Sequence, residues 1–213
     1  MLRVVALPAI LFAIAPFQSS IEPLSKPQRA QIRDVGAWHR GCPVALSDLR
    51  LLSVTYRGFD RRAHSGELVV NEAAARPLEG VFHRLYRLRF PIRHMQFSDA
   101  YGPRRDRPAD NDVSGSFECR AAVPSPCVSA ASARSWSMHA YGLAIDINPR
   151  ENPYVGCGRV RDPESRRYLD RSDFKKGMVG RHVVRAFRSI GWGWGGKWTG
   201  NTKDYMHFSS TGH

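Results

Sequence analysis

The sequence predicts an α+β domain built on an antiparallel sheet with flanking helices. Three observations carry that prediction. Short strand-like runs recur at 51–56, 66–70, 92–97 and 143–147. Two longer stretches place apolar residues at helical spacing: Ala74, Leu78, Val81, Phe82, Leu85 and Tyr86, then Val183, Val184, Phe187 and Ile190. Strands and helices do not alternate regularly, which argues against a parallel βαβ sheet. The 213 residues suffice for one domain with a sizeable core, and 42% hydrophobic against 24% charged residues excludes a disordered chain.

From the N-terminus, Arg3 precedes an almost unbroken apolar run over 4–17, and Gln18, Ser19 and Ser20 follow. That run is short for a bilayer span and fits the core of a secretory signal, so residues 1–20 are expected to be a signal peptide. Pro16, just after Ala13 and Ala15, obscures a cleavage site and leaves an uncleaved N-terminal anchor as the alternative. The processed protein is expected to have no stable membrane span and to lie outside the cytoplasm, secreted, periplasmic or at the cell envelope. Residues 21–45, with Pro23, Pro27, Gly36 and Pro43, read as an extended arm, and 46–213 as the folded domain. Asn71 is placed to cap the first helix, with Glu72 in its first turn. Pro77 predicts a kink or a fresh start there, and Pro91 closes the stretch. Residues 99–135 are rich in Asp, Arg, Pro, Ser and Ala, and a connection of that length is functional or disordered. Gly191 is placed to stop the second helix.

Cys42, Cys119, Cys127 and Cys157 fit an oxidising compartment and do not have the spacing of a four-sulfur zinc site. Of the three possible pairings, the one joining Cys119 to Cys127 across a Pro- and Ser-rich loop is favoured. The formal charge of +13, from 32 Lys and Arg against 19 Asp and Glu, calls for an anionic partner. Its dispersal from Lys26 to Lys203 suits diffuse attraction to a polyanion, such as an anionic envelope polymer. A secretory signal and the lack of a binding motif both count against nucleic acid, which is not the expected partner.

The chemistry concentrates in two segments. The first is Ser137-Met-His139-Ala-Tyr-Gly142-Leu-Ala144-Ile-Asp146-Ile147. Gly142 permits a turn, after which strand alternation puts Ala144, Asp146 and Asn148 on one face and Ile145 and Ile147 on the other. His139 and Asp146 are thus candidate zinc ligands, one on each side of a turn. The second segment holds Gly191-Trp-Gly-Trp194-Gly-Gly196-Lys-Trp198 and then Asp204-Tyr-Met-His207-Phe208. His207 supplies a third ligand, which leaves the fourth position of a hydrolytic zinc for water. Asp204 shares that side only if the backbone turns after it, and is then either a proton acceptor or a partner orienting His207. No nucleophile elbow surrounds Ser137, which is expected to hydrogen-bond near the metal. Asn152 and Tyr154 are read as shaping a loop, and His39, His64, His83, His94, His182 and His213 as ordinary histidines.

The order Ser-x-His-x-x-Gly-x-Ala-x-Asp-Ile, then Trp-Gly-x-x-Trp and Asp-x-x-His-Phe, resembles the zinc D-alanyl-D-alanine carboxypeptidases. These are the VanY-like peptidases, which share a fold with the Hedgehog signalling domain. Further likeness lies in 66–70, Phe90-Pro91-Ile92 and Phe117-Glu-Cys119-Arg120, and spans about 46–213. The resemblance implies one zinc on His139, Asp146 and His207, Asp204 as general base, and an arginine on the substrate carboxylate or oxyanion. The usual upstream Ser-Gly-Tyr-Arg is replaced by Ser98-Asp-Ala-Tyr101-Gly-Pro-Arg104, so the arginine is Arg120 or, in second place, Arg104. Ser137 and Trp194 join Arg104 as candidate substrate contacts, and Lys197 stands where an acid is common. The implied substrate is the peptidoglycan stem peptide, cut at its D-Ala-D-Ala end or internally. The alternative is a non-catalytic zinc-containing wall-binding or signalling module.

Overall fold

A computed structural model describes residues 15–96, 108–123, 127 and 135–213. Strands β1 (Ser19–Pro23), β2 (Leu49–Arg57) and β3 (Ala63–Asn71) form an antiparallel sheet in that order. The β2–β3 hairpin stays in register from Leu49 opposite Asn71 to Arg57 opposite Ala63. Alternation along β2 divides its apolar residues between two cores. Leu52, Val54 and Tyr56 join the larger core, which holds Leu78, Phe82 and Phe187, while Leu49 and Leu51 join a smaller one with Ile32.

Helix α2 (Glu72–Arg87) begins as the sequence predicts, with Asn71 Oδ1 accepting from the Ala73 N–H. It runs unbroken through Pro77, where neither a break nor a restart occurs. Pro77 is its sixth residue, so the missing donor costs one bond, to Ala73 O, next to the end whose donors are unpaired in any helix. Its buried stripe of Ala74, Leu78, Val81, Phe82 and Leu85 meets Val183, Ala186 and Phe187 of α3 (Arg181–Arg188).

The expected extended arm over 21–45 is corrected. Its start pairs with β2, and Lys26–Asp34 forms helix α1, with Ile32 fully buried. Ser25 Oγ accepts from Gln28 N–H while Gln28 Oε1 accepts from Ser25 N–H, a capping box legible as S-x-x-Q. Pro27 lies in the first turn of α1, where no donor is needed, so it marks a helix start and not a break.

The expected strand at 92–97 shortens to β4 (His94–Met95), which pairs in parallel with β5 (Val113–Ser114). Phe97 lies outside the described residues. The remaining strands are short: β6 (Ala144–Asp146), β7 (Tyr154–Val155), β8 (Gly193–Trp194), β9 (Lys203–Asp204) and β10 (His207–Ser209). They form an antiparallel sheet ordered β6-β10-β8 and a β7–β9 pair. Helices and mostly antiparallel strands thus make an α+β structure. Phe208 stacks on Phe187 at 4.0 Å between ring centroids, fixing β10 against α3. No helix among the described residues is long and apolar enough to cross a membrane.

The cysteine pairing also differs from expectation. Cys42 bonds Cys119 and Cys127 bonds Cys157. Cys119 donates its N–H to Ala37 O, which sets it beside the segment after α1 and away from its near neighbour in sequence. Pairing follows that fold of the N-terminal segment, which loop composition does not report.

Candidate metal centre and active site

A 3-10 turn, Met138–Tyr141, carries His139. Ser137 caps it, its Oγ accepting from the His139 N–H at 3.3 Å, so this hydroxyl positions the histidine. Gly142 ends the turn in the left-handed region at φ 67°. A Cβ there would lie 2.6 Å from the Asn71 backbone nitrogen, whose N–H donates to Gly142 O. One glycine therefore both reverses the chain and docks it on the end of β3. Gly142→Ala should cost roughly 1–3 kcal/mol through left-handed strain, with the contact to Asn71 added. Urea unfolding would measure this, and unchanged stability would contradict it.

Beyond Gly142 the chain enters β6, and Asp146 lies directly across from His207 in β10. His139, Asp146 and His207 are all buried, and their ligand atoms lie within 4.8 Å of one another. His139 Nε2 is 3.2 Å from His207 Nδ1 and 3.3 Å from Asp146 Oδ2, and His207 Nδ1 is 3.1 Å from Asp146 Oδ1. Donors on one tetrahedral zinc at ordinary bond lengths are spaced about 3.3 Å apart. The electronic character of these atoms agrees. His139 Nδ1 donates to Ser116 O at 2.5 Å, so Nε2 of the neutral ring carries the lone pair that a metal needs. Three such groups closing on one point share protons through these hydrogen bonds or share a cation, and the residues fit zinc.

Burial alone would raise the Asp146 carboxyl, but the charges and hydrogen bonds of His139 and His207 outweigh it and hold the group well below the usual carboxylate range. Asp204 ends β9, and a bend at 205–206 separates it from His207, which supplies the turn the sequence reading required. Burial, with the Asp146 charge added, pushes the Asp204 carboxyl up to about 7, against His207, Arg120 and the Met206 N–H. Its Oδ1 is buried without a hydrogen-bond partner among the described residues, as are His207 Nε2 and the Tyr154 hydroxyl.

Arg120 reaches this neighbourhood, since its charge acts on Asp204, and its Nε donates to Glu118 Oε2 at 2.5 Å. Burial raises the Glu118 carboxyl, against the pull of Arg120 and His139. Trp194 spends its indole N–H on Tyr205 O and stacks on Phe208, so it packs the sheet. Trp198 is the tryptophan beside the cluster, 5.9 Å from the His207 ring. Arg104, Ser98 and Tyr101 lie outside the described residues. Glu118 and Tyr154 received no chemical role from sequence. Tyr154 sits across from Asp204 in the β7–β9 pair, and Glu118 donates its N–H to His139 O. Both placements depend on pairings between distant segments. The only local signal was the position of Glu118 inside Phe-Glu-Cys-Arg.

A buried polar network backs the metal strand. Asn148, two residues after Asp146, bridges Pro91 O and Gly177 O with its amide and accepts from Arg93 N–H. Arg93 in turn joins Asp112 at 2.9 Å and Glu151 at 2.6 Å. Burial first, and then Glu151, push the Asp112 carboxyl up to about 8, so Asp112 keeps a proton and shares it in a hydrogen bond with Glu151. The native state then binds more protons than the unfolded chain between the ordinary value of 3.8 and about 8. This contribution to stability is full below that window and is lost as pH rises through it. The melting temperature of wild type relative to Asp112→Asn should therefore fall between pH 5.5 and 8.5 (about three units). A pH-independent difference would contradict the shared proton.

Comparison with known proteins agrees with this geometry. Residues 130–210 match the sequence model of a peptidase family, Peptidase_M15_4, described as D-alanyl-D-alanine carboxypeptidase. The match supports the family read from the motifs and makes the chain peptidase-like at that level. The matched stretch contains His139, Asp146, Asp204 and His207, while Glu118 and Arg120 precede it. No curated protein and no solved structure matches the chain.

Proposed function

We propose that this chain is a secreted zinc peptidase that hydrolyses the stem peptide of peptidoglycan, at the terminal D-Ala-D-Ala bond or within the stem. The observation that carries the reading is the buried His139–Asp146–His207 cluster with Asp204 leading into the same strand, inside the family-matched stretch. Zinc held by those three residues supplies a Lewis acid and water of lowered pKa. Asp204 takes a proton at its unpartnered Oδ1 and returns it to the leaving amine. Arg120 steadies negative charge on the substrate carboxylate or oxyanion, with Glu118 fixing its guanidinium. Trp198 forms an apolar wall beside His207.

The α+β arrangement is consistent with the Hedgehog/DD-peptidase fold, and two disulfides suit an oxidising envelope compartment. Digestion of purified muropeptides, with chelator and then restored zinc, tests the function by mass spectrometry. Chelator-sensitive loss of one alanine marks a carboxypeptidase and an internal cut an endopeptidase. A folded, zinc-loaded protein that cuts neither would be a wall-binding or signalling module instead.

A further inference from the structure

The turn after β2 and the end of α2 meet at a second feature. A cavity of about 500 Å³ is lined by Arg57, Gly58, Arg61, Arg89, Pro91 and Lys176. Four of these six residues are cationic and none is acidic. Among the described residues, none of the four cations forms an ion pair with a carboxylate; Asp60, the acid next to Arg61, is engaged by His64 at 3.0 Å. Arg57 stacks over the Tyr86 ring at 4.6 Å, and its Nε is buried without a hydrogen-bond partner.

The backbone adds an independent observation. Arg61 and Arg89 adopt left-handed conformations at φ 67° and 54°. Arg61 sits in the β2–β3 turn, and Arg89 follows the Leu88 cap of α2. Glycine is favoured at such positions because it has no Cβ to strain. Both places instead hold arginine, and both line the same cavity.

We propose that this cavity is an anion site that binds the phosphoryl groups of a polyanionic chain. Arg61 and Arg89 offer paired donors that match phosphate oxygens, while Arg57, whose Nη1 donates to Arg61 O, and Lys176, whose Nζ donates to Phe59 O, add fixed charge. The concave shape admits a chain segment or a protruding group. The general excess of positive charge brings the polymer to the protein, and these residues give it a defined place to bind. None of them belongs to the metal cluster, and binding is measured without turnover, so this site stands or falls apart from the peptidase reading.

The test is calorimetric titration of the full chain with soluble polyphosphate, and separately with inorganic phosphate, at physiological salt. Arg61→Gly with Arg89→Gly removes two guanidinium groups while leaving backbones that glycine adopts freely. This pair should weaken polyphosphate binding at least about tenfold without lowering the melting temperature. Arg185→Ala with Arg188→Ala, on exposed positions of α3, removes the same charge and should change affinity less than about threefold. If the glycine pair folds poorly, asparagine at both positions tolerates the same backbone and gives the same reading. Equal losses from both pairs would reduce the effect to net charge and overturn the proposal. So would no saturable binding by the wild type, or inorganic phosphate binding as tightly as the polymer.

Discussion

Replacing Asp204 by alanine is expected to leave one zinc bound per chain and to lower kcat by about two to four orders of magnitude. The ligand atoms that approach one another belong to His139, Asp146 and His207, so the cage survives the substitution. What is lost is a buried carboxyl with an oxygen that no protein group engages among the described residues. Metal content by atomic emission and turnover on muropeptides separate the two roles. Full activity in the variant would sink the proton-acceptor assignment. Loss of metal and activity together would instead place Asp204 among the groups that orient His207.

The second large effect concerns the metal itself. The three candidate ligands hold their nitrogen and oxygen atoms 3.1–3.3 Å apart in a buried site, close to the donor spacing of one tetrahedral ion. Zinc should therefore bind the native chain in preference to the unfolded one. At a zinc concentration a hundred times the dissociation constant, the native state gains about 2.7 kcal/mol. For a chain of this size that should raise the melting temperature by roughly 5–10 °C relative to chelator. Asp146→Asn should abolish most of the increment, because it removes the only formal negative charge among the three ligands. Equal melting temperatures with zinc and with chelator would mean that the cluster is a hydrogen-bonded core motif and holds no ion.

The legible part of the site lies within single segments. His139, Gly142 and Asp146 are close in sequence, and one turn plus strand alternation suffices to place them. His207 follows from the same ligand logic, although its position opposite Asp146 is a fact of strand pairing. Glu118 and Tyr154 were not legible because each reaches the site through a partner far away in the chain. In the fold, α2 and its asparagine cap could be read directly, since a long amphipathic helix repeats its signal many times. Helix α1 was missed although its capping box was written in the sequence: nine residues gave too little periodicity to outweigh the nearby prolines. The parallel β4–β5 pair, two residues per strand, leaves no pattern to read.

The Cys42–Cys119 bond ends one residue before Arg120 and closes a loop of 77 positions. A cross-link over that span restrains the unfolded chain by about 4 kcal/mol. Before it forms, the Glu118–Arg120 segment is held by backbone bonds to His139, Ala37 and Ser137 and by His39 Nε2 at Cys119 O. The metal cage, built on β6, β10 and the turn at 138–141, contains no sulfur ligand. If the cluster holds zinc as proposed, loading of the metal and tightening of the Arg120 side are separable events. Under the proposed mechanism, sulfur oxidation acts as a latch on the arginine side of the site and leaves the zinc side untouched.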